Sequence, residues 1–290
     1  MKKIDYGKKT DIPWINPVGG LGDTLMLSGV LKHVVDAQPA AKFNLVIRTK
    51  YSEILKGHPA IADIGHPSPG VEFVETNYWD QSDYCKEGKR VYQILASMFG
   101  LHTPVEESLY VPWEIKDDPA LMSAIPWKER NVLICPSSDS PRKQMSAQKW
   151  ETLVKMFLDD GTTVVQAGKR NDRYVRGAYS LLGMTTPRQI IAMIRHFDAV
   201  VTSDNFLMHA AHLCGIPAVV LWGATDHRMY GYLEHTHLQS VPACASSNGC
   251  IGPGRSKIYS TECPKGGAHC MNQLNIETIY KAVRGVMDKK

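Results

Sequence analysis

The sequence predicts an α/β protein of two doubly wound domains facing a cleft, with a small cysteine-rich module near the C-terminus. Three observations predict it. The chain has 290 residues, and at about 100–200 residues per domain that favours two domains. Hydrophobic residues make up 43% and charged residues 21%, ordinary globular usage that excludes a disordered chain. Short apolar runs alternate with stretches whose apolar residues recur at helical spacing, in one half and again in the other. That is the pattern of parallel sheets with helices on their faces.

Taken in order, Ile12-Pro13-Trp14-Ile15-Asn16 reads as the first strand and Gly19-Gly20-Leu21-Gly22-Asp23 as a tight loop. Leu27, Val30, Leu31 and Val34 then share one helical face. Asn44–Arg48 is a second strand and Val71–Val74 a third. Val91–Phe99 reads as a helix with Gly100 as its C-cap. The proline-bearing stretch from Val111 to Trp127 lacks periodicity and is the expected linker. A second series follows. Asn131–Cys135 is a strand, and Ser146 is the expected N-cap of a helix presenting Trp150, Leu153, Val154 and Phe157. Thr162–Ala167 is a strand ending at Gly168, and Ile190, Ile191, Ile194 and Phe197 mark another helix. Strands Ala199–Thr202 and Ala218–Trp222 flank a helix from Leu207 to Cys214, closed by Gly215 and Pro217. Ile276, Ile279, Tyr280 and Val283 line the last helix. The expected domains are residues 1–120, then 121–274 including the cysteine-rich module 244–270, with a C-terminal helix at 275–290. No sequence repeat relates the halves.

The basic start, Met1 to Lys9, is not followed by the apolar region of about 7–15 residues that a secretory signal needs. No run reaches the roughly 18 apolar residues of a membrane helix. The expected location is therefore cytoplasmic, where disulfides are uncommon and clustered cysteines count as candidate metal ligands. The net charge of +4 permits an anionic ligand without demanding nucleic acid, and no basic stripe with interleaved aromatics is present.

Three loops carry candidate chemistry. The glycines of Gly19–Asp23 allow a sharp turn and close ligand approach, but the loop lacks both the G-x-G-x-x-G spacing and the Gly-Lys-Ser/Thr of a P-loop. Asp23, at the helix start, is either an N-terminal cap or a carboxylate placed to take a proton from a hydroxyl. Ser203-Asp204-Asn205-Phe206-Leu207-Met208-His209 is another strand-to-helix junction whose helix N-terminus suits a phosphate group; taken singly, Asp204 is also readable as a cap and His209 as a satisfied, partly buried histidine. Pro136 to Ser146 is a polar loop in which Arg142 and Lys143 are either a solvated pair or the cations that neutralise a diphosphate.

These segments, in this order, resemble the glycosyltransferase family 9 enzymes, the heptosyltransferases, from about residue 14 to the C-terminus. Gly19-Gly20-Leu21-Gly22-Asp23-Thr24 is similar to the family's N-terminal Gly-Asp motif. Lys143 to Trp150 is similar to its Lys-x-Trp-Pro-x-x-x-Trp segment, and Asp204 to His209 to its Asp-Ser-Gly-Pro-Met-His motif. Cys214 to Asp226 is similar to its Gly-x-Pro-x-x-x-Leu-Phe-Gly-x-Thr-Asp stretch. Here Asn205-Phe206-Leu207 stands where the family has Ser-Gly-Pro, and Met145-Ser146 replaces Trp-Pro. The resemblance implies a GT-B fold of two Rossmann-like domains, an inverting transfer without a catalytic metal, and a nucleotide-diphosphate sugar donor, ADP-linked by preference. It implies Asp23 as general base, with Gly20, Gly22 and Thr24 on the acceptor side. Lys143 and Arg142 then face the donor diphosphate, and Ser137, Gly168, Asp204, Asn205 and His209 line the nucleotide site. The implied acceptor is a saccharide, as in lipopolysaccharide, or a protein hydroxyl.

Four of the seven cysteines fall in Cys244-x5-Cys250-x12-Cys263-x6-Cys270, among glycines and prolines that cannot form a regular helix or packed strand. Four thiolates around one tetrahedral zinc, or iron, would order such a segment, as a structural site with no open position. His235, His237 and His269 are substitute ligands, and two disulfides or free thiols are the alternative. Some family relatives that glycosylate bacterial autotransporters carry a cysteine-ligated iron finger. Cys85, Cys135 and Cys214 fall outside the cluster, and the last two read as buried small hydrophobes. Two other functions stay open: an inactive nucleotide-sugar or nucleic-acid binding module of the same fold, and a glycosyltransferase acting on modified DNA bases. Peripheral membrane contact stays open too, and the sequence does not reveal an oligomeric state.

Overall fold

The computed structural model describes residues 12–46, 51–81, 88–240, 250–251, 261–265 and 267–289. The chain divides into two compact units, Met1–Glu114 and Ile115–Lys290.

The first unit holds a parallel sheet of β1 (Trp14–Asn16), β2 (Phe43–Val46), β3 (Ile61–Gly65) and β4 (Phe73–Glu75), in the order β3-β2-β1-β4. Trp14 lies opposite Asn44 on one side and Phe73 on the other. Helix α1 (Leu21–Ala37) buries Leu25, Leu27, Val30, Leu31 and Val34. Helix α2 (Val91–Met98) runs to Gly100, whose φ of +80° closes it. The Phe43 and Phe99 rings meet edge to face at 5.5 Å, a geometry that aromatic pairs prefer.

The second unit holds a six-stranded parallel sheet: β5 (Asn131–Cys135), β6 (Thr163–Gln166), β7 (Tyr179–Ser180), β8 (Ala199–Ser203), β9 (Ala218–Trp222) and β10 (Thr236–Gln239). Its order is β7-β6-β5-β8-β9-β10, which is three-two-one-four-five-six of a doubly wound nucleotide-binding sheet. Every residue of β5, β6, β8 and β9 is buried, as a sheet covered on both faces requires. Helices α4 (Ala147–Asp159), α5 (Pro187–Met193), α6 (Phe206–Leu213) and α9 (Ile276–Met287) surround it; the short α3 (Pro119–Ala124) and α7 (His227–Tyr230) bury no residue, whereas α8 (His269–Gln273) places Cys270 and Met271 in the core. Helix α9 packs on α4, β8 and β9. Trp150, Leu153, Val154 and Phe157 of α4 meet Ile279 and Val283 of α9 in one core.

Several boundaries differ from those read in the sequence. Ile12 and Pro13 precede β1, and Ile47 and Arg48 lie outside the described residues. The third expected strand lies two residues later, as β4. Strands β3, β7 and β10 carry no long apolar run; β3 and β10 are edge strands with no fully buried residue, and β7 is only two residues long. The stretch expected as linker contains α3, capped by the Asp118 carboxylate with Pro119 in its first turn. This helix buries no side chain, so no apolar period marks it.

Among the described residues, no helix is long and apolar enough to cross a membrane.

Candidate active site

In open parallel sheets, ligands bind beyond the strand C-termini where the strand order reverses. In the first unit that point lies between β1 and β4, and the loops after both strands interlock there. The Val18 N–H donates to Thr76 Oγ1 at 3.3 Å. Asp23 stands in the first turn of α1, and its Oδ2 accepts from the Gly20 N–H at 2.6 Å. The Tyr78 hydroxyl donates to its Oδ1 at 2.8 Å. Both oxygens are thus oriented by donors from two different loops. Gly19 has φ +96°, and a Cβ there would stand 2.6 Å from Asp23 Cγ, so the loop tolerates only glycine at this position. Thr24 Oγ1 donates to the Gly20 carbonyl at 3.1 Å, and Gly22 lies within the first turn of α1. Asp23 is therefore not the cap residue itself, which is Gly20. Its carboxylate closes back on that cap.

In the second unit the reversal lies between β5 and β8. Asn205 caps α6, accepting from the Leu207 N–H at 2.9 Å. Its amide donates to the carbonyls of Cys135 at 3.1 Å and Ser137 at 2.8 Å, tying the two strand ends together. On the turn Pro141–Lys143, Lys143 Nζ reaches Asp204 Oδ2 at 2.7 Å, and both residues are buried. The Thr225 hydroxyl donates to the same oxygen at 2.7 Å. Burial alone would raise the pKa of Asp204; the Lys143 ammonium and the Thr225 hydroxyl outweigh it and hold the carboxyl below its usual range. His209 Nδ1 bonds the Tyr232 hydroxyl at 2.7 Å. Burial lowers this imidazole to about 4 despite the attraction of Asp204, so it is neutral at pH 7.

The remaining predicted residues diverge. Gly168 lies two residues beyond β6, where its carbonyl accepts from the Gly183 N–H at 2.9 Å. Arg142 turns to Thr261, Glu262 and Cys250. Cys244 and Cys85 lie outside the described residues. Cys250, Cys263 and Cys270 are free thiols. Burial raises the pKa of Cys270, and Cys250 and Cys263 reinforce the rise. Among the described residues no three His, Cys, Asp or Glu form a group that could hold a metal. The substitute ligands are engaged elsewhere: His235 with the Met208 carbonyl, His237 with Trp222 and Tyr232, His269 with Gln273. Cys135 is buried and its thiol is pushed up to about 12 by desolvation. Half-buried Cys214 is pushed up to about 11 by the same cause. Tyr78 and Tyr232 carried no signal in the sequence, since neither falls in a recognisable pattern.

Comparison with known proteins identifies the family and the fold. A family model described as glycosyltransferase family 9 (heptosyltransferase) matches residues 86–248, more than half of the chain. No curated protein matches the sequence. Among solved structures, the glycosyl transferase family 9 protein from Veillonella parvula is similar at a TM-score of 0.70 and 14% identity, covering 99% of each chain. The iron-containing dodecameric glycosyltransferase TibC from enterotoxigenic E. coli matches at 0.70 and 14%, over 96% of this chain and 76% of that one. TibC is also solved in complex with ADP-D-β-D-heptose. E. coli ADP-heptose lps heptosyltransferase II matches at 0.60 and 12%, over 96% and 99%. The fold is thus GT-B, and the chain belongs to glycosyltransferase family 9, the heptosyltransferase family.

Proposed function

We propose that this protein is an inverting glycosyltransferase that moves a sugar, heptose by preference, from an ADP-linked donor to a saccharide or protein hydroxyl. The observation that carries the reading is the buried Lys143–Asp204–Thr225 cluster at the β5/β8 reversal. It is a fixed cation at the position where a nucleotide diphosphate binds in sheets of this order. Binding of ADP-D-β-D-heptose by TibC supports the donor class.

In the proposed step Asp23 accepts the proton of the acceptor hydroxyl as its oxygen forms a bond to the anomeric carbon. The bond from that carbon to the diphosphate oxygen breaks from the opposite face, and the nucleoside diphosphate leaves with the electron pair. Negative charge grows on the leaving group, so a preplaced ammonium stabilises the transition state more than the ground state. Lys143 carries three N–H donors, one of them on Asp204, and in the proposed step its ammonium meets the phosphate oxygens. No metal takes part in this step. Asn205, Ser137 and Gly168 shape the nucleotide side, and neutral His209 borders it.

Replacing Asp23 with Asn tests the assignment. Transfer should fall by about 10²–10⁴-fold, while ADP affinity by calorimetry stays at the wild-type value. Equal loss of both would make Asp23 a structural residue only.

The four cysteines Cys244, Cys250, Cys263 and Cys270 are read as a structural zinc or iron site, supported by their clustering in the sequence and by TibC being iron-containing. Metal analysis of protein purified without added metal should find about one zinc or iron per chain; a content near zero removes the site.

A further inference from the structure

Arg142 and Lys143 are neighbours on one turn, yet their side chains are anchored in different places. Lys143 goes to Asp204. Arg142 donates from Nε to the Thr261 carbonyl at 3.0 Å, and from Nη2 to Thr261 Oγ1 at 2.8 Å and the Glu262 carbonyl at 3.0 Å. Its Nη1 reaches Cys250 Sγ at 3.6 Å. Four of the five guanidinium N–H groups are therefore committed to the cysteine-bearing segment, which leaves no fork for a phosphate.

The same segment supports the other partner of Asp204. The Ile251 N–H donates to the Ala224 carbonyl at 2.7 Å, one residue before Thr225. Gly223 lies so close to α8 that a Cβ on it would stand 2.7 Å from both Cys270 Sγ and Met271 Sδ. Cys250, Thr261 and Glu262 on one side, and Ile251 with α8 on the other, thus back both loops that deliver a donor to Asp204 Oδ2.

We propose that Arg142 is a positioning residue, clamping Cys250, Thr261 and Glu262 to the Lys143 turn and so setting diphosphate affinity without touching the diphosphate. The proposal rests on the donor-site reading above. Arginine is suited to the role because its rigid fork satisfies several acceptors at once, which a lysine ammonium on a flexible stem does not.

The test is calorimetric titration of ADP into the whole protein. Wild type should bind, Arg142→Ala should bind about tenfold more weakly, and Arg142→Lys should be as weak as the alanine variant, because charge is kept and the fork is lost. Thr261→Val, which removes one acceptor of the clamp, should also weaken ADP. Lysine restoring wild-type affinity would mean that Arg142 acts on the diphosphate by charge, and overturns the proposal. So does alanine binding like wild type. Should Arg142→Ala fail to fold, Thr261→Val decides: unchanged affinity overturns the clamp. A folded wild type that binds no ADP instead overturns the donor-site reading, and this inference with it.

Discussion

Asp23 is oriented by two donors from different segments, the Gly20 N–H and the Tyr78 hydroxyl. Tyr78→Phe removes one of them and leaves the loop intact. On the proposed mechanism, kcat should fall about tenfold with ADP affinity unchanged, as steady-state rates and calorimetry would read; an unchanged kcat would make the contact incidental. The Lys143–Asp204 pair has larger stakes. Removing one partner of a buried ion pair leaves a desolvated charge, so Lys143→Met should cost about 3–5 kcal/mol and also weaken ADP. Adding Asp204→Asn should recover most of the stability, as a urea double-mutant cycle would show. The sequence reveals Asp23, Lys143 and Asp204 as residue types at loop positions. It does not reveal that Lys143, 61 residues from Asp204, and Thr225 donate to the same Asp204 oxygen. Tyr78 is legible only in three dimensions, since its turn follows a short strand with no periodicity of its own.

Helix α6 shows how an element depends on its first residue. Asn205 accepts from the Leu207 N–H and from the Thr202 hydroxyl, and donates to the carbonyls of Cys135 at the end of β5 and Ser137 in the loop after it. Asn205→Ala should therefore cost about 2 kcal/mol, the upper end for a cap, measured by urea unfolding. A cost near zero would show that the cap is replaceable by water. Central strands such as β5 and β8 were readable because burial on both faces demands continuous apolar runs. The edge strands β3 and β10 were not, because they are only partly buried and keep polar residues such as Asp63, His237 and Gln239. Helix α4 was found from its apolar face, but Ser146 makes no side-chain cap bond there. A favoured residue at the right position does not guarantee the cap's hydrogen bond.

At the scale of the whole molecule, three buried histidines tie stability to pH. His58, His209 and His235 are each lowered to about 4, in every case chiefly by burial. The unfolded chain takes up these protons near pH 6.5 and the folded one only near 4. Stability contributed by the neutral imidazoles is therefore present above pH 6.5 and is lost as the pH falls towards 4. The slope in that window is at most about 1.4 kcal/mol per pH unit for each histidine. The melting temperature should drop steadily from pH 7 to 4.5, and a flat profile would refute the assignment. Nothing in the sequence distinguishes these three from the other eight of the chain's eleven histidines, because burial is a property of the fold.

The strand order of the second unit has a temporal consequence. Strand β5 must pair with β8, and the contact between Cys135 and Thr202 spans 67 residues. Ribosomes extend chains at about 5–20 residues per second, so β8 emerges roughly 3 to 13 s after β5. Through that interval Val132, Leu133 and Ile134 belong to an unfinished sheet with one open edge. The nascent chain is exposed there to wrong pairing and to chaperone capture, and the hazard ends when β8 arrives.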